Sequence, residues 1–476
     1  MRVLLVNPPP YRIVEPYYDT PPYPRTGIAY LAGYLRSKGV DVHVLDCKFD
    51  RLSMEQGMDE VRRLEPDVVG LGAFTNEIIP AADFAKAVKA WRPRTVTVIG
   101  SVHVSAIPEG TLREFPQFDY GVVGEGEQTF HEFLQNLGDA AALAKTRGVC
   151  FLDKNGGFVF AGDRPRILDQ DSLPFPAWDL FKPAREYILH TERGCPFACN
   201  FCMNPNGRIV RSRTPENVLE EVAWLSKIRE PKRILFGDEI FTIDRDRAAR
   251  ILELLIAGGY HKKLSWWCQT HVRTIDLELV QLMRRSNCDI VGLGIESGDD
   301  ERLKTMGKGT SRALILKAVA IMKEVGQPFM SFFILGQPDE TWQSAMRTID
   351  FAVELNPTLP ILGLMVPYPG TRVAEMAKRG EGGYVLRSTD WNEYNKQFGD
   401  ALEFKNLTRQ QLELLQVIGY LKVFLYNLRF IDLARFLWRY RTEGFALVAK
   451  AVRRAVGGQT AGGPPAPAQK EGASCR

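Results

Sequence analysis

Long apolar runs are missing from this 476-residue sequence: no uncharged stretch approaches the ~18 residues that a membrane-spanning helix needs. Charge of one sign is missing too. The 61 basic and 57 acidic residues leave a formal +4, too little to argue for a nucleic-acid partner. Cysteine is sparse: eight residues, three of them clustered, fit a reducing compartment better than a disulfide framework. The opening MRVLLVNPPP has only a short apolar stretch before its prolines, so it reads as a buried strand and not as a signal peptide. A cytoplasmic protein is expected. No G-x-G-x-x-G opens the first helix, which removes the usual dinucleotide fingerprint.

What is present reads as an α/β protein. With 45% hydrophobic and 25% charged residues the composition is that of a globular chain, long enough for two domains and an appendage. In residues 1–145, β-branched runs at 2–7, 40–46, 67–73, 95–100 and 120–124 alternate with helix-period stretches such as 27–38 and 81–91. That alternation predicts a doubly wound, Rossmann-like parallel sheet. Such sheets take ligands beyond the carboxyl ends of their strands. The candidates there are Asn7, Thr75, Gly100, Ser101, His103, Gly124, Glu125, Gly126 and Glu127. The glycines suit close backbone approach to a ligand, or simply a turn. Residues 146–185 read as a connection, with a hairpin around DKNGG and then a proline-stiffened passive tether, DSLPFPAWDLF.

From 186 to 400 six strand-like runs (187–192, 233–237, 264–270, 289–295, 329–336, 359–367) alternate with helical segments. Six units are too few for an eight-stranded barrel and predict a partial (β/α)6 barrel, with functional groups at the strand ends. Residues 401–456 read as helical. From Arg409 to Arg454 nine Lys/Arg face three Asp/Glu, among many aromatics. That mixture suits either a helical cap over the barrel mouth or a peripheral membrane or partner surface. Residues 457–476 have the composition of a disordered tail.

The most informative stretch is RGCPFACNFCMNP, which places Cys195, Cys199 and Cys202 in a C-x3-C-x2-C array. Three thiolates on one loop can hold three irons of a [4Fe–4S] cubane. The next cysteine, Cys268, is far along the chain in a strand-like run, so one iron is left open, as catalytic metal sites require. A structural zinc loop would want a second ligand pair nearby, and none is there. Cys268 and Cys288 read as core thiols, and Tyr368 in PYPGT as a turn residue or a substrate contact.

This loop resembles the signature of the radical S-adenosylmethionine (SAM) superfamily, down to Phe201 before the third cysteine. The resemblance implies that the amine and carboxylate of SAM chelate the open iron, and that reduction yields a 5′-deoxyadenosyl radical. It also implies SAM contacts at the strand ends: Asp238 and Glu239 for the ammonium, Arg273 for the carboxylate, Glu296 and Ser297 for the ribose, and Gly336 beside adenine. Read from the residues alone, each acid is equally a helix cap or a solvated charge. Upstream, NPPP, GSVHVSAIPE and GEGEQTF fall after the first, fourth and fifth strands, and their order resembles the cobalamin-binding domain that precedes many radical SAM domains. The D-x-H-x-x-G of cobalamin domains with a histidine on cobalt is not reproduced, because Asp41-Val42-His43 runs to Asp46 where glycine is required. Cobalt without a protein histidine is therefore expected, with His103 as a lower contact.

Together these resemblances imply methylation of an unactivated carbon or a phosphinate centre through methylcobalamin and the 5′-deoxyadenosyl radical. The alternative is a cobalamin-assisted radical cyclase or rearrangement enzyme, as in the anaerobic cyclase of chlorophyll synthesis. A SAM or cobalamin sensor is the third reading. The substrate is expected to be a small molecule, lipid or natural product, with an external electron donor of flavodoxin or ferredoxin type.

Overall fold

The computed structural model describes residues 1–10, 20–396, 399–439 and 441. Residues Met1–Arg429 form one compact unit; the second begins at Phe430, and its described part is the helix Phe430–Arg439. The expected helix beyond 441 and the tail 457–476 lie outside the described residues.

Five parallel strands open the first sheet: β1 (Arg2–Asn7), β2 (Asp41–Asp46), β3 (Val68–Gly72), β4 (Val96–Gly100) and β5 (Tyr120–Val122). Their order, β2-β1-β3-β4-β5, is doubly wound and reverses direction at β1/β3, the usual place for a ligand. β1 reads RVLLVN because it is central and covered on both faces. The hairpin β6 (Val149–Leu152) and β7 (Phe158–Phe160) continues this sheet in antiparallel pairing, so the sheet extends past the boundary expected at 145.

The segment after the hairpin is more than a tether. Trp178 is fully buried, and the Ala177 amide donates to Ala29 O at 2.9 Å. A Cβ on Gly33 would stand 2.4 Å from Phe175 O, so only glycine lets the first helix, Thr26–Ser37, seat the strap this closely. Val3 and Leu5 of the first sheet consequently share one apolar core with Trp178 of this segment and with Tyr187 and Leu189 of the second sheet. Leu4, Val6 and Leu71 face the other way, onto the helix Ile78–Trp91.

The second sheet has six parallel strands: β8 (Glu186–Leu189), β11 (Arg233–Phe236), β12 (Ser265–Thr270), β13 (Cys288–Glu296), β14 (Phe329–Leu335) and β15 (Leu359–Leu364). Their order is β15-β14-β13-β12-β11-β8, an open (β/α)6 arrangement. Between β8 and β11 a small ribbon pairs β9 (Glu192–Arg193) with β10 (Arg211–Ser212). Phe236, Trp266, Cys268 and Cys288 lie in the main core, whereas Leu235, Trp267, Met330 and Ile361 gather in a separate apolar cluster, their neighbours in sequence alternating between the two faces.

Residues 402–404, expected to be helical, form β17 (Leu402–Phe404) against β16 (Tyr384–Leu386), where Phe404 packs on Tyr384. Tertiary pairing overrides a short local preference. The helix Arg409–Tyr426 then covers the edge strand β15. Gln416 donates to Leu362 O at 2.5 Å, and the Leu362 amide donates to the Tyr420 hydroxyl at 3.1 Å. No helix among the described residues is long and apolar enough to cross a membrane.

Candidate functional site

The cysteine loop is closed on itself at its neck. The Cys195 amide donates to Gly207 O (3.0 Å), Asn204 Nδ2 donates to Cys195 O (2.7 Å), and the Cys202 amide donates to Cys199 O (3.1 Å). Gly194 has φ +110, and a Cβ there would lie 2.2 Å from Ile209 O, which is why RGC must carry glycine. The loop is also strapped to the barrel. Asn200 N donates to Met306 O (2.9 Å), its carbonyl accepts from Val373 N (3.1 Å), and the Phe197 ring stacks on His271 at 4.4 Å and 9°. His271 Nδ1 accepts from the Arg273 amide, so Nε2 carries the proton and donates to Lys308 O (3.1 Å). Burial pushes its pKa down to about 4 and keeps the ring neutral.

The three thiols are free and half-buried to exposed. Burial pushes Cys199 up to about 11, with Lys308 opposing and Glu296 and the other two thiols reinforcing; burial also raises Cys195. Thiols in such a setting become ligands only when a metal compensates their charge. No three His, Cys, Asp or Glu side chains among the described residues converge on a single point. A cubane does not ask for that, since each cysteine holds its own iron. The donor set fits a cluster.

Beside the thiols sits a buried ion pair, Lys308 Nζ to Glu296 Oε1 at 2.8 Å. Burial works against the lysine's charge, but Glu296 and Cys199 hold its pKa above the ordinary value. Glu296 stands at φ +65, just past a register shift in β13, and this strained backbone turns its carboxylate toward Lys308. Gly294 leaves the room, since a Cβ there would meet Lys308 Nζ at 2.5 Å. Glu239 also reaches the loop, accepting from Asn206 Nδ2 at 2.6 Å. Arg273 is exposed on the turn Val272–Thr274, with Nη1 3.5 Å from where a Cβ of Gly309 would be.

Other expected residues are committed elsewhere. Asp238 is buried and clasps the end of β8, accepting from Thr191 N (2.7 Å), Thr191 Oγ1 (2.5 Å) and Glu192 N (3.0 Å). Ser297 bonds Thr348 Oγ1 (3.1 Å) and caps Asp299 N (3.2 Å). The Gly336 (φ +92) amide donates to Glu340, its carbonyl accepts from the Tyr384 hydroxyl, and Phe404 fills the space beside it. Phe201 packs between two apolar clusters. In each case a strand end carried backbone amides or apolar surface that the chain itself had to satisfy.

At the first sheet, Asn7 donates to Asp46 (2.6 Å) while its own Oδ1 is buried without a partner. His103 is fully buried, 3.4 Å from Thr75 Oγ1 and edge-on to Trp391 at 4.8 Å; its Nε2 is also unpartnered. Burial pushes its pKa down to about 4. Gly124 (φ +78) opens onto free space, a Cβ on Gly100 would meet only Leu71 O at 3.8 Å, and Ser101 is held at φ 79, ψ −162, a region natural only to glycine. Orphaned polar atoms beside open, strained backbone fit a large ligand held by shape and amides. Glu125 and Glu127, by contrast, pair with Arg211 and Arg193. His43 lies on β2 beside Asp41, at 3.0 Å.

Sequence reasoning missed Lys308, Arg193, Arg211 and Trp391. The signal for Lys308 was its flanking glycines, Gly307 and Gly309, both at positive φ.

Two family models match the chain: the radical SAM superfamily over residues 190–352 and the B12 binding domain over residues 14–134. An uncharacterized methyltransferase of Pyrococcus horikoshii is 31% identical over 435 residues, covering 89% of this chain and 93% of that protein. This chain belongs to the radical SAM superfamily. Within it, the chain is a B12-binding radical SAM enzyme, whose cofactors are a [4Fe–4S] cluster, SAM and cobalamin. The anaerobic magnesium-protoporphyrin IX monomethyl ester cyclase of Cereibacter sphaeroides is 30% identical, over 73% of this chain and 59% of its own length. Among solved structures, the radical SAM methyltransferase TsrM of Kitasatospora setae, with cobalamin and a [4Fe–4S] cluster bound, superposes with a TM-score of 0.70 at 19% identity, covering 88% of this chain and 91% of that one. That likeness concerns the fold.

Proposed function

We propose that this radical SAM enzyme is a methyltransferase acting on an unactivated carbon, or a phosphinate phosphorus, of a small-molecule, lipid or natural-product substrate. The observation that carries the reading is the contact between the two cofactor edges: Arg193, two residues before Cys195, meets Glu127 of the cobalamin domain at 2.6 Å. Bound together, the cofactors supply a carbon-centred radical and a transferable methyl group.

The chain's own residues have the following tasks. Cys195, Cys199 and Cys202 hold the cluster, and Phe197 on His271 fixes the loop's face toward the barrel. Glu239, Glu296, Lys308 and Arg273 surround the place where a zwitterionic nucleoside would lie; Lys308 and Arg273 suit its carboxylate, and the acids its ammonium and ribose. Neutral His103 and Asn7, with the uncovered backbone at Gly124, suit the corrin ring, and cobalt needs no histidine. Leu235, Trp267, Met330 and Ile361 offer apolar walls to a substrate. An external flavodoxin- or ferredoxin-type donor supplies the electron.

The similarity to the cyclase supports one second reading, radical ring formation. Product analysis separates the two. A methyltransferase releases S-adenosylhomocysteine and 5′-deoxyadenosine in equal amounts per methyl group delivered, whereas a cyclase releases 5′-deoxyadenosine alone. A peripheral contact with an anionic lipid surface is supported by the exposed stripe Leu414, Val417, Leu421, Leu425 and Leu428 beside a basic carboxyl-terminal sequence. Unchanged vesicle binding in Leu421→Glu/Leu425→Glu would discard that contact.

A further inference from the structure

The loop after β5 and the cysteine loop share four buried charges. Arg193 and Arg211 are cross-strand partners in the β9/β10 ribbon, so they stand on either side of the neck from which the cysteine loop emerges. Arg193 Nη2 lies 2.6 Å from Glu127 Oε1, and its Nη1 lies 3.6 Å from Glu125 Oε1. Arg211 Nη2 lies 2.7 Å from the same Glu125 oxygen. Side-chain exposures of 11, 3, 9 and 8% for Arg193, Arg211, Glu125 and Glu127 leave little for water to screen. The remaining donors tighten the neck. Arg211 also donates to Ile167 O (2.7 Å) and to Asn206 O (3.1 Å), and Glu125 accepts from Ile167 N (3.0 Å). Burial opposes ionisation of Glu125, but Arg211 and Arg193 lower its pKa, so it stays charged.

The same loop faces outward through Gly124 and Gly126. A Cβ on Gly124 would meet nothing within 4 Å, and on Gly126 only Leu31 at 3.8 Å. One short segment thus presents open backbone on one side and grips the root of the cysteine loop on the other. Two positive and two negative charges balance only while all four are in place, and a shift of the loop by an ångström or two would leave charge buried without a partner. Such an element has few intermediate positions.

We propose that Glu125, Glu127, Arg193 and Arg211 form a latch through which occupancy of the cobalamin site sets the position of the cluster loop, and the reverse. The proposal rests on the cofactor assignment above, and it makes the four residues positioning residues that touch neither reacting atom. Binding linkage is reciprocal: if the filled cluster site favours one position of the loop, it must strengthen cobalamin binding by the factor with which cobalamin strengthens the cluster state.

The test is a visible-spectrum titration of the full chain with hydroxocobalamin, with and without the reconstituted cluster. The wild type is expected to bind cobalamin about tenfold more tightly when the cluster is present. Glu127→Gln, and the paired Glu127→Gln/Arg193→Gln that leaves no lone buried charge, are expected to bind with equal affinity in both forms. A latch that was merely structural would weaken both forms alike and keep the ratio. A wild-type ratio of unity, or an undiminished ratio in either variant, overturns the proposal while leaving the cofactor assignment intact. No cobalamin binding in any form would instead strike at the assignment itself.

Discussion

The two parallel sheets present their carboxyl-terminal edges in opposite ways. At the first, Glu77, Asp46, Glu125 and Glu127 are each paired within the chain. Glu77 is held by Arg25 (3.0 Å) and Lys48 (2.6 Å), Asp46 by Asn7 and two backbone amides, and Glu125 and Glu127 by arginines of the cluster-loop neck. What remains unpaired there is neutral: the glycine backbone at Gly124 and the buried Asn7 Oδ1 and His103 Nε2. At the second edge, ionic groups are kept beside the thiols, with Glu239 and Lys308 acting on Cys195 and the Glu296–Lys308 pair on Cys199. A neutral edge suits a large ligand gripped by shape and amides; an ionic edge suits a small zwitterion. Charge at the first edge is paired within the chain, whereas at the second some of it, apart from Asp238, lies beside the three cysteines.

The sharpest way to break this contrast is at the thiols. Replacing Cys195, Cys199 and Cys202 together by alanine is expected to abolish cluster iron and all reductive cleavage of SAM, while cobalamin still binds. Iron analysis and product chromatography read the first two, and visible spectroscopy the third. Retained cleavage would place the cluster elsewhere.

Next in size is Glu77. Burial raises its pKa, but Arg25 and Lys48 outweigh it and bring the value from 4.5 to about 2. Its stabilisation is therefore complete above pH 4.5 and is lost as pH falls through about 2. Glu77→Gln strands two cations and should cost about 3–5 kcal/mol at neutral pH. In denaturant titrations the gap to wild type should close toward pH 2. A gap independent of pH would mean that Glu77 acts through packing alone.

Smaller is Ser101, whose φ of 79 and ψ of −162 suit only glycine. Ser101→Gly should raise stability by about 1–3 kcal/mol, visible as a higher Tm. If Tm falls, the strained backbone of the first edge is held by the serine side chain, and the edge is less dependent on its backbone than described.

Much of this was legible in the chain. Alternating β-branched and helical runs marked the eleven parallel strands of the two sheets, because parallel strands covered on both faces carry continuous apolar sequence. The three cysteines announced themselves by spacing. Less legible was anything set by contacts distant in sequence. GEGEQTF looked like ligand-facing loop, yet its two acids answer Arg193 and Arg211 on the far side of the connecting segment. DSLPFPAWDLF looked like a tether, yet Gly33 had been cut to fit it. Asp238 ends a strand as a catalytic acid would, but the amides of Thr191 and Glu192 claim it. Lys308 escaped because a lysine between two glycines is ordinary until Glu296 is seen beside it.

Methyl transfer from SAM by way of cobalamin can be followed without any acceptor. Reconstituted, reduced protein carrying cobalamin is incubated with SAM labelled in its methyl group. A methyltransferase gives one burst of S-adenosylhomocysteine, equal to the bound cobalamin, with the label retained on the holoprotein. Formation of 5′-deoxyadenosine with no S-adenosylhomocysteine and no retained label would contradict methyl transfer and favour the cyclase reading.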